Sequence, residues 1–172
     1  MKIFDPKLKQ RPGRYLAQVS LATLSLVVLL WAAELLSGAA VPQAVLVAAI
    51  ASTAFVLFIS PRRDNARPRR VIGGHAIALT IGGALAAFTG TPWGQDLVSD
   101  VPMLFAVYAA GGVGLSMLAM AATDTEHGPA AGTALGVVAH SFSWALIGFV
   151  AASVLVLAAV HGLLRSRLED LD

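Results

Sequence analysis

The chain alternates between long apolar runs and short polar stretches. A bilayer core is about 30 Å thick, so a helix that crosses it needs about 20 mostly apolar residues. Five runs reach that length or come close to it. The pattern therefore predicts an all-α, polytopic transmembrane helix bundle in a single domain, residues 1–172, with spans at residues 15–37, 42–60, 71–88, 101–122 and 141–163.

The stretch between the fourth and fifth spans has a different pattern. Residues 129–140 are mostly apolar, but as a helix they would be only about 18 Å long. A short apolar helix with Gly and Pro beside a full span is typical of a re-entrant or broken helix. We therefore expect a short re-entrant or half-helix after His127, with an interfacial, loop-like connector as the alternative. Five full spans would leave the C-terminus on the side opposite to the N-terminus.

Charge supports a membrane protein and predicts its orientation. Only 13% of residues are charged and 57% are hydrophobic, whereas soluble domains carry about a quarter charged residues. Residues 61–70, the arginine loop, contain five arginines and one aspartate, and no Lys or Arg occurs from residue 71 to 164. The positive-inside rule then predicts an integral protein of a bacterial inner (plasma) membrane with a cytoplasmic N-terminus. The first apolar run is too long for a cleaved signal peptide, so we expect it to be a span.

Several classes of function are disfavoured by the residues present. The basic residues flank apolar runs instead of forming a nucleic-acid-binding surface, so we expect no nucleic-acid partner. Cysteine is absent, and the four histidines lack the spacing of a zinc-protease motif. No nucleophile elbow, phosphate-binding loop or paired carboxylates are present. We therefore predict that the protein is not an enzyme, with no catalytic residues, no metal site and no cofactor.

Two histidines are the candidate functional side chains, because ionisable groups within spans are costly and are often functional. His75 lies one turn into the third span, and His127 follows the fourth span on the same predicted side. We expect the two to face a common vestibule. The alternatives are that His75 extends to the interface and that His127 is a solvated loop residue paired with Glu126. His140 and His161 have weaker claims.

The segment after His127 predicts an anion site. Pro129 is tolerated in a first helical turn, and the amides of Ala130, Ala131 and Gly132 would be unpaired donors at a helix N-terminus. Such an end attracts anions. Thr133 would offer a hydroxyl one turn further along. Titration of the histidines predicts anion flux that changes between about pH 5 and 8.

Two motifs resemble the HPP family of integral membrane proteins, which is named for a His-Pro-Pro motif. Residues 68–75, Pro-Arg-Arg-Val-Ile-Gly-Gly-His, are similar to the family's signature at the start of a span. Residues 127–134, His-Gly-Pro-Ala-Ala-Gly-Thr-Ala, are similar to the motif that gives the name, with Gly128 in place of the first proline. A looser match covers residues 51–58, and the resemblance extends over about residues 15–163.

The resemblance implies a transporter of a small inorganic anion such as nitrite or nitrate, since plant members are associated with nitrite transport into chloroplasts. The route would be lined by His75, His127, the helix start Pro129, Ala130, Ala131, Gly132 and Thr133, and by Ser52. The arginines would either concentrate anions at the mouth or only set the topology. A structural or accessory membrane subunit and a passive anion pore remain alternatives. The expected partners are the lipid bilayer and the anion, and a homo-oligomer is left open.

Overall fold

The described part of the chain is entirely helical apart from its connections. The computed structural model describes residues 11–37, 44–99, 102–140 and 142–171. A 3-10 helix, Asp64–Ala66, lies in the arginine loop. The α-helices are α1 (Pro12–Ser37), α2 (Ala44–Ile59), α3 (Pro68–Thr89), α4 (Pro92–Ser99), α5 (Pro102–Ala122), α6 (Gly128–Val138) and α7 (Trp144–Leu164). The predicted all-α membrane bundle is confirmed.

Four helices are long and apolar enough to cross a bilayer. Within these helices, the segments that are sufficiently long and apolar are Pro12–Leu29, Pro68–Thr89, Leu104–Ala122 and Trp144–Leu164. They correspond to four of the five predicted spans. The predicted starts at residues 42, 101 and 141 fall outside the described residues.

The predicted second span, 42–60, overlaps α2, of which 16 residues are described. The helix α6 has 11 residues and is therefore only about 16 Å long, too short to cross a 30 Å core.

The connection between α3 and α5 contains the short helix α4. The amide of Gly94 donates to Thr91 Oγ1 at 3.1 Å, and Pro92 occupies the first turn of α4. A threonine followed by proline is a recognised signal for a helix start. The hydroxyl cap therefore stabilises a short helix here.

The N- and C-terminal segments meet at the end of the bundle that carries the arginine loop, here called the arginine end. The guanidinium of Arg11 donates to Glu169 at 2.8 Å, and Tyr15 Oη donates to the carbonyl of Leu171 at 2.6 Å. The amide of Leu171 donates to the carbonyl of Ile59 at 2.8 Å. The C-terminal segment therefore lies beside both the start of α1 and the end of α2.

The path through α6 and α7 explains why the termini meet. α5 ends at the arginine end, where Arg70 contacts Asp124 at 2.5 Å. α6 begins there, and α7 ends there, with His161 Nε2 3.0 Å from the carbonyl of Pro61. Because α7 has 21 residues, α6 and the residues after it must lead the chain to the opposite end. The two terminal segments therefore lie at the same end of the bundle, a point that the sequence leaves open.

The short helix α6 lies inside the bundle. It packs most extensively against α3, and it also contacts α2 and α5. Its close approach to α3 depends on Gly82, where an added Cβ would lie 3.1 Å from the carbonyl oxygen of Ala134. Glycine at this position lets the two backbones approach closely, as expected of small residues in membrane helix interfaces.

Candidate functional site

Four polar side chains from three helices and one connection meet where α2, α3 and α6 pack together. They are Thr53 on α2, His75 on α3, His127 immediately before α6 and Thr133 on α6. Thr53 and Thr133 are 0% exposed, and each histidine is 1% exposed. We call this group the histidine–threonine cluster.

Thr53 links the two imidazole rings. Its Oγ1 lies 3.0 Å from His75 Nε2 and 3.3 Å from His127 Nε2. The second nitrogen of each ring also has a partner. His75 Nδ1 lies 2.9 Å from Thr133 Oγ1, and His127 Nδ1 lies 3.0 Å from the carbonyl oxygen of Asn65. All four ring nitrogens are therefore within hydrogen-bond distance of an oxygen.

The carbonyl of Asn65 fixes one hydrogen of the cluster. A carbonyl oxygen only accepts, so His127 donates from Nδ1, and in the neutral ring its Nε2 is an acceptor. The Thr53 hydroxyl lies 3.3 Å from that Nε2 and 2.9 Å from the carbonyl oxygen of Ala49, so its one hydrogen serves one of these two acceptors at a time. In both arrangements Thr53 can accept from His75 Nε2, which leaves His75 Nδ1 to accept from Thr133.

The two rings are close enough that only one of them can readily carry a charge. Their centroids are 5.3 Å apart, and two positive charges at that distance repel by about 3 kcal/mol at an effective dielectric constant of 20. For His127, which lies in the connection between α5 and α6, burial lowers the pKa to about 4, although its hydrogen bond to Asn65 acts in the opposite sense. His127 is therefore neutral at neutral pH.

Two arginines of α3 hold the connection that carries His127. Arg70 contacts Asp124 at 2.5 Å and Glu126 at 3.3 Å. Arg69 contacts Asp124 at 3.5 Å and donates to the carbonyl of Thr123 at 2.9 Å. Exposed pairs of this kind contribute only about 0–1 kcal/mol each. Their role is to fix the connection, so these two arginines are not free to concentrate anions.

The predicted anion-binding helix start is only partly open. Pro129 lies in the first turn of α6 as predicted. The amide of Ala130 donates to the carbonyl of His127 at 2.9 Å, and Ala130 is buried. Ala131 and Gly132 are half-buried. An added Cβ at Gly132 would lie 3.3 Å from the Cβ of Ala49, so this residue faces α2.

The structure brings together His75, His127 and Thr133 but not Ser52. Ser52 is exposed on α2, and the neighbouring Thr53 occupies the place between the histidines. The sequence reasoning missed Thr53. Thr53 shares the inner face of α2 with Ala49 and Leu57, both of which are buried, but no other polar residue on that helix marks this face in the sequence.

The other two histidines lie outside the cluster. His140 Nδ1 lies 2.7 Å from the carbonyl of Gly136 at the end of α6. His161 is buried near the end of α7 and donates from Nε2 to Pro61. Within the described ranges, no three His, Asp or Glu side chains gather as potential metal ligands.

Comparison with known protein families identifies a family that the chain matches over most of its length. The family model described as "HPP, transmembrane region" matches residues 8–170. The chain belongs to the HPP family. No curated protein and no solved structure matches it.

Gly128 replaces a proline of the HPP motif at a position that has space for a larger residue. Gly128 is exposed, and an added Cβ would have nothing within 4 Å. His127 has φ −138° and ψ 102°, which is the extended conformation favoured before proline. The glycine therefore leaves the geometry of the motif intact in this HPP protein.

Proposed function

We propose that this HPP-family protein transports a small inorganic anion, such as nitrite or nitrate, across the bilayer and is not an enzyme. The observation that carries the proposal is the histidine–threonine cluster, four polar side chains buried among apolar helices. Polar groups are costly at membrane depth, and those that persist there often belong to a transport pathway. The cluster joins α2, α3 and α6, so the proposed route follows their junction.

The short helix α6 supports a transport pathway. α6 begins at the arginine end and stops within the bundle, beside α2. Interrupted helices place backbone groups and helix ends at membrane depth, where transporters use them to bind ions. The N-terminal end of α6, Pro129–Thr133, has the polarity that attracts an anion.

The charge around the cluster favours transport over catalysis. The nearest carboxylates on the α5–α6 connection, Asp124 and Glu126, are paired with Arg69 and Arg70. Neither is within the hydrogen-bonded chain of the cluster. The side chains of the cluster itself can hold a proton or donate to an anion, but they include no acid–base pair of carboxylates for hydrolysis.

We also propose a bacterial inner-membrane location with the arginine end in the cytoplasm. Every described arginine lies at that end: Arg11, Arg14, Arg62, Arg63, Arg67, Arg69, Arg70, Arg165 and Arg167. The opposite end contains Asp96 on α4, and residues 89–100 include no basic residue. The positive-inside rule places such an end in the cytoplasm.

Uptake of nitrite, nitrate and chloride into proteoliposomes, with and without a pH gradient, tests the proposal. We expect uptake above that of protein-free liposomes, and we expect His75→Ala and His127→Ala each to reduce it by about tenfold or more, because each breaks a buried hydrogen-bond network. His140→Ala is the matched control. If wild-type protein moves none of these anions, the proposed function is wrong.

An accessory membrane subunit is the second candidate function, and a groove on the outer surface of the bundle favours it. The groove lies between α5 and α6 and is almost entirely apolar. Its lining residues are Phe105, Ala106, Ala109, Ala110, Val113 and Leu135. A subunit of this kind would use the groove for helix packing, and the histidine variants would then alter its stability without any anion flux.

A further inference from the structure

Thr53 has more potential hydrogen-bond partners than its one hydroxyl hydrogen can serve. Besides the two histidine nitrogens, its Oγ1 lies 2.9 Å from the carbonyl oxygen of Ala49. The hydroxyl can donate to only one acceptor at a time but can accept two hydrogens. Turning the hydroxyl from His127 to Ala49 therefore changes which acceptor it serves without moving any heavy atom.

The cluster can accommodate one additional proton in two positions. With the proton on His75, that ring donates from Nδ1 to Thr133 and from Nε2 to Thr53. With the proton on His127, that ring donates from Nδ1 to Asn65 and from Nε2 to Thr53. Every imidazole N–H has an acceptor in both states.

We propose that the histidine–threonine cluster is a one-proton relay, in which a proton passes between His75 and His127 through the hydroxyl of Thr53. The transfer balances. The Nε2 hydrogen of the His75 imidazolium moves to Thr53 Oγ1, while the hydroxyl hydrogen of Thr53 moves to Nε2 of His127. The charge moves from one ring to the other, and the reverse steps return it. Proximity of the rings limits the pair to one proton.

The two ends of the relay face different surroundings. His127 donates to the carbonyl of Asn65, a residue that is exposed at the arginine end. His75 contacts Thr133 on α6, inside the bundle. A proton that moves along the cluster therefore moves between the arginine end and the membrane interior.

The remaining charges lie at the arginine end of the cluster. α2 and α6 contain no titratable residue, and α5 contains only Tyr108, whose hydroxyl donates to the carbonyl of Leu85 at 2.9 Å. The charged groups on the elements packed against the histidines are Asp64, Arg67, Arg69, Arg70, Asp124 and Glu126, all of which form ion pairs. The titration of the cluster is thus determined by the two imidazoles.

If the protein transports an anion as proposed, the relay makes the proton the coupling ion that crosses with it. This inference rests on the proposed function. An anion that crosses with one proton carries no net charge, so its uptake is driven by a pH gradient. Nitrate is the suitable probe because its conjugate acid is strong, and no neutral form crosses lipid unaided.

The closing experiment measures nitrate uptake and luminal pH in the same proteoliposomes. We expect nitrate uptake to acidify the lumen by one proton per nitrate. Thr53→Val should reduce this coupled uptake by about tenfold or more, because the hydroxyl bridge between the rings is lost. Thr53→Ser should retain it.

The matched control is Thr80→Val, since the Thr80 hydroxyl bonds only to its own helix at Ala76. Nitrate uptake without acidification in the wild type would overturn the relay and leave the proposed function standing.

A second measurement tests the relay without any anion. Histidine nitrogen NMR signals of the protein in liposomes should show His127 protonated on Nδ1 and His75 on Nε2 at neutral pH. On acidification the two rings should take up a single proton together, and Thr53→Val should separate their titrations. A wild-type His127 protonated on Nε2, or two rings that titrate independently, would overturn the relay even if nitrate does not move and the proposed function fails.

Discussion

At the scale of single residues, the buried ring of His127 makes the stability of the protein depend on pH. Burial lowers its pKa from 6.5 to about 4, so the unfolded chain binds a proton at higher pH than the folded protein does. The contribution to stability is therefore fully present above pH 6.5 and is lost as the pH falls towards 4, by at most about 3 kcal/mol. We expect the melting temperature in detergent to fall over this range.

Comparison of two variants separates this effect from other titrations. His127→Gln removes the ionisable ring, so its melting temperature should depend less on pH between 6.5 and 4 than that of the wild type. His140→Gln changes a half-buried histidine at the other end of α6 and should leave the dependence unchanged. Equal slopes for His127→Gln and the wild type would contradict the prediction. The lowered pKa of His127, about 4, lies below the window of about pH 5–8 in which the sequence predicts histidine-dependent flux.

The residues of the cluster differ in how well the sequence indicates them. His75 and His127 are visible because an ionisable group near an apolar span is unusual. Ser52 and Thr53 are adjacent, and successive residues lie about 100° apart around a helix, so only one can face the histidines. α2 is apolar on all sides. No contrast between polar and apolar faces therefore indicates which hydroxyl points inward, and that information comes from packing against α3 and α6.

At the scale of helices, glycines on α3 allow the close packing that positions the cluster. At Gly74, an added Cβ would lie 2.9 Å from the carbonyl oxygen of Thr125 and 2.9 Å from the Cβ of His127. The backbone of the α5–α6 connection would have to move to accept a side chain there. Gly111 on α5 is the opposite case, since an added Cβ would have nothing within 4 Å.

These two glycines predict opposite effects of the same substitution. Gly74→Ala should destabilise the protein by about 1–3 kcal/mol, because it overpacks a close helix contact. Gly111→Ala should stabilise it by about 0.5–1 kcal/mol, because alanine loses less conformational freedom in a helix. Melting temperatures of both variants in the same detergent test this. A stabilised Gly74→Ala variant would contradict the close approach of α3 to the connection.

Length and composition indicate some helices better than others. The long apolar runs at α3, α5 and α7 have no alternative fold in a membrane, so their existence follows from the bilayer thickness. α4 depends on one local hydrogen bond, Gly94 to Thr91, and such caps are easily overlooked in a short polar stretch.

At the scale of the whole molecule, the short helix α6 determines both the path of the chain and which charged residues meet. Because α6 leads the chain away from the arginine end and α7 brings it back, the acidic C-terminal residues meet the basic N-terminal ones. Arg11 and Arg14 both pair with Glu169, and the pKa of Glu169 is held below its usual value chiefly by the hydrogen bond from Arg14. The sequence alone did not reveal this arrangement, because the last residues are mixed in sign. A re-entrant segment that returned to the arginine end would place the C-terminus at the opposite end.

The absence of cysteine makes this arrangement directly testable. Asn65→Cys, Asp96→Cys and Arg167→Cys each introduce one thiol at an exposed position. With a membrane-impermeant maleimide on sealed, right-side-out bacterial cells, we expect Asp96→Cys to be labelled and the other two to be protected. Permeabilised cells should show labelling of all three, which controls for reactivity.

Because residues 65 and 167 lie at the same end of the bundle, they must respond alike. Labelling of Arg167→Cys together with Asp96→Cys would mean that α6 does not lead the chain across. Labelling of Asn65→Cys and Arg167→Cys with protection of Asp96→Cys would preserve the fold but reverse the proposed orientation.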